Sequence, residues 1–269
     1  MCQLFAVSAS EKIEINKELG RFIENSRLHR HGWGYADFSA RRVRERRETG
    51  PAYESAYLKE KLSGPFCVSN AFFHIRYATV GDIKIENTHP FMALDMAGRT
   101  WSIVHNGTIF DGSALDEYFS RQAGDTDTER LLIYLISCVN RRQASCRTLL
   151  TDAQRFEIVE AALMAIVPHN KLNVVISDSE IVYVHGNSRS GSRLLGEAVR
   201  NDYIYELDLG TAKLFCTFKI DGRDWRPIPL NTVLAYGHGE LLYAGEPHGF
   251  EYLESDADTH DMYRDFSYL

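Results

Sequence analysis

The chain has 269 residues, 44% of them hydrophobic and 25% charged, with a formal net charge of −7. That length buries one sizeable core, and the composition excludes fibrous, low-complexity and disordered classes. The acidic balance argues against a nucleic-acid or anionic-membrane surface, and five cysteines without a CxxC pair outline neither a disulfide framework nor a zinc site. A reducing, cytoplasmic location is the expectation: the apolar run Leu4-Phe5-Ala6-Val7 is too short for a signal peptide, and no stretch approaches spanning length.

In chain order, residues 3–8 read as a short strand, residues 13–23 as a helix, and the glycine-punctuated stretch 31–36 as a loop entering a strand. Residues 41–48 form the only basic run. Interleaved with glutamate and followed by Gly50-Pro51, they read as an exposed strand end or hairpin rather than a nucleic-acid patch. Residues 71–77 predict a strand with Phe73, Ile75 and Tyr77 on one face and His74 and Arg76 on the other. A loop over 79–89 follows, closed by His89-Pro90-Phe91, and then a second strand over 101–105 that ends in Asn106-Gly107.

Thr126-Asp127-Thr128-Glu129 has the form of a capping box, and Leu131, Leu132, Leu135, Cys138 and Val139 continue at helical spacing. Residues 156–167 predict another apolar helix. The runs 173–177, 181–185, 212–220, 232–236 and 240–244 alternate and are joined by turn residues, so the second half reads as mostly antiparallel sheet. Residues 188–192 form a loop without the lysine of a phosphate loop, and residues 251–269 an acidic, aromatic tail without recognisable chemistry. With no repeat, linker or boundary evident, the expectation is one α+β domain over 1–269.

The chemistry begins at Cys2. Removal of Met1 leaves a thiol and a free α-amine on one residue, with ordinary pKa values near ~8.5 and ~7.7–8.0, so the amine can serve as the thiol's own base. A lone cysteine is more often an inert small hydrophobe. Taken singly, the other motifs also have structural readings: Arg76 as an ion-pair residue, Asn106-Gly107 as a hairpin turn and Asp127 as complement to a helix dipole. The histidines, His29, His31, His74, His89 and His105 among them, lack metal-ligand spacing, and no metal site is expected.

Jointly and in this order, Cys2, His74-Ile75-Arg76-Tyr77-Ala78-Thr79, His105-Asn106-Gly107 and Thr126-Asp127-Thr128-Glu129 resemble the class II glutamine amidotransferase family of N-terminal nucleophile hydrolases. Gly32-Trp33-Gly34 and the stretch from Thr79-Val80-Gly81 through Glu86-Asn87-Thr88-His89-Pro90-Phe91 are similar to stand-alone bacterial members and their ergothioneine-pathway and glutathione-degrading relatives. The resemblance is specific from Cys2 to about Glu129. Two departures stand out: His31 where an aspartate is expected, and no Ser-Glu-Pro-like segment around Cys216-Thr217-Phe218.

The resemblance implies a four-layer αββα sandwich of two antiparallel sheets. It also implies that Cys2 attacks the side-chain amide of glutamine or a γ-glutamyl compound, forming a γ-glutamyl thioester that water resolves. Asn106 and the Gly107 N–H match the oxyanion hole, and glycine there would let the backbone approach substrate. Arg76 matches the group that grips the α-carboxylate, Asp127 the acceptor of the α-ammonium, and Thr79 a further substrate contact. No cofactor is implied. The partner implied is the small-molecule amide; either a separate synthase accepts the ammonia or the enzyme simply hydrolyses a γ-glutamyl bond in a small thiol or peptide, with oligomeric state left open. The alternative from another class is a non-catalytic glutamine-sensing or interaction module, which needs only the Arg76 and Asp127 end.

Overall fold

Side-chain alternation along one strand decides the layering. The computed structural model describes residues 2–78, 81–188 and 203–253. In β1 (Gln3–Glu14), Phe5, Val7 and Ala9 enter one apolar cluster, and Leu4 and Ala6 enter another on the opposite face. A strand buried on both faces reads as an unbroken apolar run, which is why Leu4 to Val7 carries no polar residue.

β1 sits in a seven-stranded antiparallel sheet. Its neighbours are β2 (Trp33–Asp37), β3 (Arg44–Glu48), β4 (Cys67–Ile75), β9 (Tyr205–Asp208), β10 (Ala212–Cys216) and β11 (Arg226–Pro227), in the order β11-β9-β10-β1-β4-β2-β3. The second sheet contains β5 (Phe91–Leu94), β6 (Thr100–Thr108), β7 (Lys171–Ser177), β8 (Ile181–His185), β12 (Leu234–Gly237) and β13 (Glu240–Ala244), in the order β13-β12-β8-β7-β6-β5. Their facing surfaces interlock through Leu4, Ala6, Phe72, Val104, Val175, Val184 and Phe215.

Helices cover the two outer faces. α1 (Asn16–Glu24) and α2 (Ala56–Leu62) place Leu19, Phe22, Ile23 and Leu58 against the first sheet. α3 (Asp127–Ala144) and α4 (Asp152–Ile166) place Leu131, Leu135, Val139, Val159 and Leu163 against the second. Three apolar layers between four structural ones give the αββα sandwich that the resemblance implied. No helix among the described residues is long and apolar enough to cross a membrane.

Several local expectations shift. Ile13 belongs to β1 rather than to a helix: after a register irregularity beyond Ser8, the strand resumes pairing at Ile13 with Val68 and Glu14 with Cys67, and α1 begins only at Asn16. The 212–220 run keeps strand pairing only to Cys216. The capping box at α3 is half formed, because Thr126 accepts from the Glu129 N–H while the Glu129 carboxylate accepts from the N–H groups of Ala123 and Gly124. The complete reciprocal box stands at α4, between Thr151 and Gln154. The basic run does form the exposed edge strand β3, paired with β2. The stretch 188–192 lies outside the described residues except for Ser188, and the tail except for residues 251–253.

Candidate active site

Strand parity brings the first wall together. Cys2 precedes β1 on the parity of Leu4 and Ala6, and His74 and Arg76 share the parity of Phe72 in β4; all three core residues face the space between the sheets. Arg76 and Tyr77 extend the line of β4 just beyond its last residue. The Tyr77 N–H donates to Cys2 Sγ, and the thiol in turn reaches the Tyr77 carbonyl, both at 3.4 Å. Cys2 is half-buried. Burial pushes its thiol up; the chain terminus, the Tyr77 N–H and the Arg76 guanidinium oppose that rise, and the Asp127 carboxylate adds to it.

Arg76 is 2% exposed. Its Nη1 donates to the Asp82 carbonyl at 2.9 Å and its Nη2 to the Gly81 carbonyl at 3.0 Å, so part of the guanidinium holds the loop after β4. Burial pulls its pKa down, opposed by the Cys2 thiol and by Asp82 and Asp125; arginine nonetheless stays a cation in proteins. His31 lies beside this wall, stacked on Tyr77 at 5.0 Å, and its Nδ1 accepts from the Ala78 N–H at 2.9 Å. That bond requires the neutral ring, and burial together with Arg76 lowers the His31 pKa accordingly. At the position where an aspartate was expected from the resemblance, this chain uses a neutral acceptor.

The second wall comes from β6. Asn106-Gly107 is not a turn but interior strand, with Asn106 opposite Asn173 and Gly107 opposite Leu172 in β7. Asn106 has the parity of Val104, so its amide faces the inter-sheet space; it is 2% exposed, and Oδ1 has no hydrogen-bond partner. Gly107 is required for a reason different from substrate approach. A β-carbon there would collide with the Lys171 carbonyl and the His105 ring, so the glycine lets β7 and that ring close in.

Asp127 opens α3. Its Oδ2 accepts from the Ile109 N–H at 2.8 Å, and its Oδ1 from the Thr128 N–H at 2.8 Å and the Thr128 hydroxyl at 3.2 Å. These three bonds leave acceptor capacity on a carboxylate with about four lone-pair sites. Thr79, the remaining expected contact, lies outside the described residues.

Histidines link the walls. His74 Nε2 lies 3.2 Å from the His105 carbonyl, joining β4 to β6 immediately before Asn106. Burial drives His74 down to about 3 and His89 well below the ordinary range, and their rings sit 4.1 Å apart. His105 Nδ1 meets Thr128 Oγ1 at 3.0 Å and Nε2 meets the Lys171 carbonyl at 3.0 Å. Among the described residues no group of three or more His, Cys, Asp or Glu side chains is placed to hold a metal ion.

Two supports were not singled out as site residues in the sequence. Tyr77 acts through its backbone, which no side-chain pattern can reveal. Asn87 belongs to the quoted Glu86 to Phe91 stretch, but its completely buried amide becomes visible only in three dimensions.

Solved structures share this architecture. The allosteric regulatory enzyme of purine biosynthesis superposes with a TM-score of 0.66 at 14% identity, covering 93% of this chain and 50% of its own. A chain from Pseudomonas aeruginosa PA01, described as a predicted glutamine amidotransferase, gives a TM-score of 0.59 at 19% identity, covering 90% of this chain and 100% of its own. The likeness shows that this chain shares the layered αββα fold of those structures. Residues 1–219 match the family model described as glutamine amidotransferases class-II, and the chain belongs to that family. An uncharacterized protein of Methanocaldococcus jannaschii is 26% identical over 264 residues, which cover 91% of this chain and 72% of the relative. The chain spans half the length of the purine-biosynthesis enzyme it matches.

Proposed function

We propose that this protein hydrolyses the γ-amide of glutamine, or of a γ-glutamyl compound, through a thioester on Cys2. After Met1 is removed, the α-amine of Cys2 takes the thiol proton, directly or through a water, and the sulfur attacks the amide carbon. The Asn106 Nδ2 and the Gly107 N–H stabilise the oxyanion. Strand alternation supports the second donor: it sends the Gly107 N–H to the same edge as the His105 carbonyl, where β5 pairing has already stopped at Ile103. Ammonia, or the amine of the γ-glutamyl compound, leaves with the transferred proton, and water resolves the thioester to the γ-carboxylate, regenerating the thiol.

At the far end of the substrate, the Arg76 guanidinium grips the α-carboxylate, and Asp127 accepts from the α-ammonium, with Thr79 as a further contact. The observation that carries this reading is the buried Asn106 side chain, its Oδ1 without a hydrogen-bond partner, on the face shared by Cys2 and Arg76. A sensing module needs only the Arg76 and Asp127 end. We also read residues 1–269 as one domain acting in the cytoplasm, its ammonia consumed by a separate synthase or released.

The test is covalent. 6-Diazo-5-oxo-L-norleucine, an electrophilic glutamine analogue, is expected to add stoichiometrically to residue 2 of the mature chain, read by mass spectrometry of the N-terminal peptide. Reversible occupancy without an adduct would favour the sensing module.

A further inference from the structure

Between Arg76 and the start of α3 lies one amide that the chemistry above does not use. We propose that Asn87 is a positioning residue that sets the distance between the carboxylate-binding and ammonium-binding ends of the pocket, and so governs selectivity for the amino-acid end of the substrate. This rests on the roles of Arg76 and Asp127 proposed above.

The connection runs atom by atom. The Asp82 carbonyl accepts from Arg76 Nη1 at 2.9 Å and also from Asn87 Nδ2 at 2.9 Å, so one oxygen joins the two side chains. Asn87 Oδ1 then accepts from the Asp125 N–H at 2.8 Å, and its Nδ2 lies 3.3 Å from Asp125 Oδ2. Two residues further on stands Asp127. A single side chain thus ties the guanidinium's loop to the helix entry that carries the carboxylate.

Two glycines from different segments make room for it. A β-carbon at Gly124 would collide with Asn87 Oδ1, and one at Gly81, where φ is +74°, would lie 2.8 Å from Asn87 Nδ2. Both backbones close on the amide, and the amide uses both of its ends, as acceptor from the Asp125 N–H and as donor to the Asp82 carbonyl and the Asp125 carboxylate. An aspartate has the same shape but lacks the donor and would face the Asp82 carbonyl and the Asp125 carboxylate with a charge.

Two electrophiles separate selectivity from reactivity. The diazo analogue carries the α-carboxylate and α-ammonium, whereas iodoacetamide carries neither. In Asn87→Ala and Asn87→Asp, labelling of residue 2 by the diazo analogue is expected to slow about tenfold, while labelling by iodoacetamide stays within about twofold. Asn87→Asp keeps the acceptor for the Asp125 N–H, so it serves where the alanine variant does not fold. If both reagents slow equally, or neither slows, the positioning role is overturned while the proposed function stands. If the unsubstituted protein resists the diazo analogue yet reacts with iodoacetamide, the proposed function falls and the inference falls with it.

Discussion

The Arg155 cluster and the Cys2 site treat buried polar groups in opposite ways. At the β7–β8 turn, Arg155 of α4 donates to Asp178 at 2.6 Å, to the Leu150 carbonyl at 2.9 Å, to Asp152 at 3.0 Å and to Glu180 at 3.1 Å. Asp178 also accepts from the Tyr183 hydroxyl and from the N–H groups of Glu180 and Ile181. At the Cys2 site, Asn106 Oδ1, His74 Nδ1 and both ring nitrogens of His89 are buried without a hydrogen-bond partner. Unmade hydrogen bonds in a buried site cost stability. The Arg155 cluster commits its polar capacity to the fold, and the Cys2 site holds part of it in reserve.

That contrast breaks or sharpens under substitution. The largest effect belongs to Cys2→Ala, which is expected to abolish ammonia release from glutamine while leaving the urea-unfolding midpoint unchanged; turnover by this variant would remove the nucleophile. Arg155→Met leaves Asp178 buried without its charge partner. It should lower the unfolding free energy by about 3–5 kcal/mol with kcat unchanged in the folded fraction. A loss of turnover at constant stability would erase the distinction between the two.

Asn106→Ala should do the reverse. Loss of one oxyanion donor predicts a fall in kcat of about 10²–10³-fold, without loss of stability, since a buried unpaired oxygen goes with it. Steady-state kinetics and urea unfolding on the same preparation decide the matter; destabilisation with normal kcat would make Asn106 a structural residue.

The smallest effect concerns pH. Burial holds His74 and His185 down to about 3 in the fold, whereas the unfolded chain binds protons on them near ~6.5. The unfolded state therefore takes up more protons as pH falls. This contribution to stability is complete above about 6.5 and is lost progressively toward about 3. His89, also lowered and with no partner on either nitrogen, adds to the same slope. His89→Phe is expected to raise the unfolding midpoint more at pH 5 than at pH 8, and equal shifts at both would dismiss the histidine contribution.

Much of this was legible from residue order because it depends on period and proximity along the chain. The alternation of Phe73 and Ile75 against His74 and Arg76 survives intact, as do the helices carrying Leu131 to Val139 and Phe156 to Val167. Where local patterns are degenerate, the outcome depended on remote partners. Asn-Gly suits a hairpin turn, but β7 pairs with it and makes it strand interior. Ile13 fits a helical period, yet the partner strand β4 extends far enough to claim it. Thr126 and Glu129 spell a capping box, but nearby N–H groups of Ala123 and Gly124 capture the glutamate.

What the chain's order determined by itself was the α+β class, the sidedness of its strands and the family resemblance carried by Cys2, Arg76, Asn106 and Asp127, because parity and motif are properties of neighbours in sequence. Only tertiary structure decided that Gly107 serves the close approach of β7 and the His105 ring, that Arg76 and Asn87 share one carbonyl, and that Asn106 Oδ1 is left without a partner. Those facts concern which groups lack or share partners across distant segments, and hydrogen bonding is settled only once every competing donor and acceptor has a place.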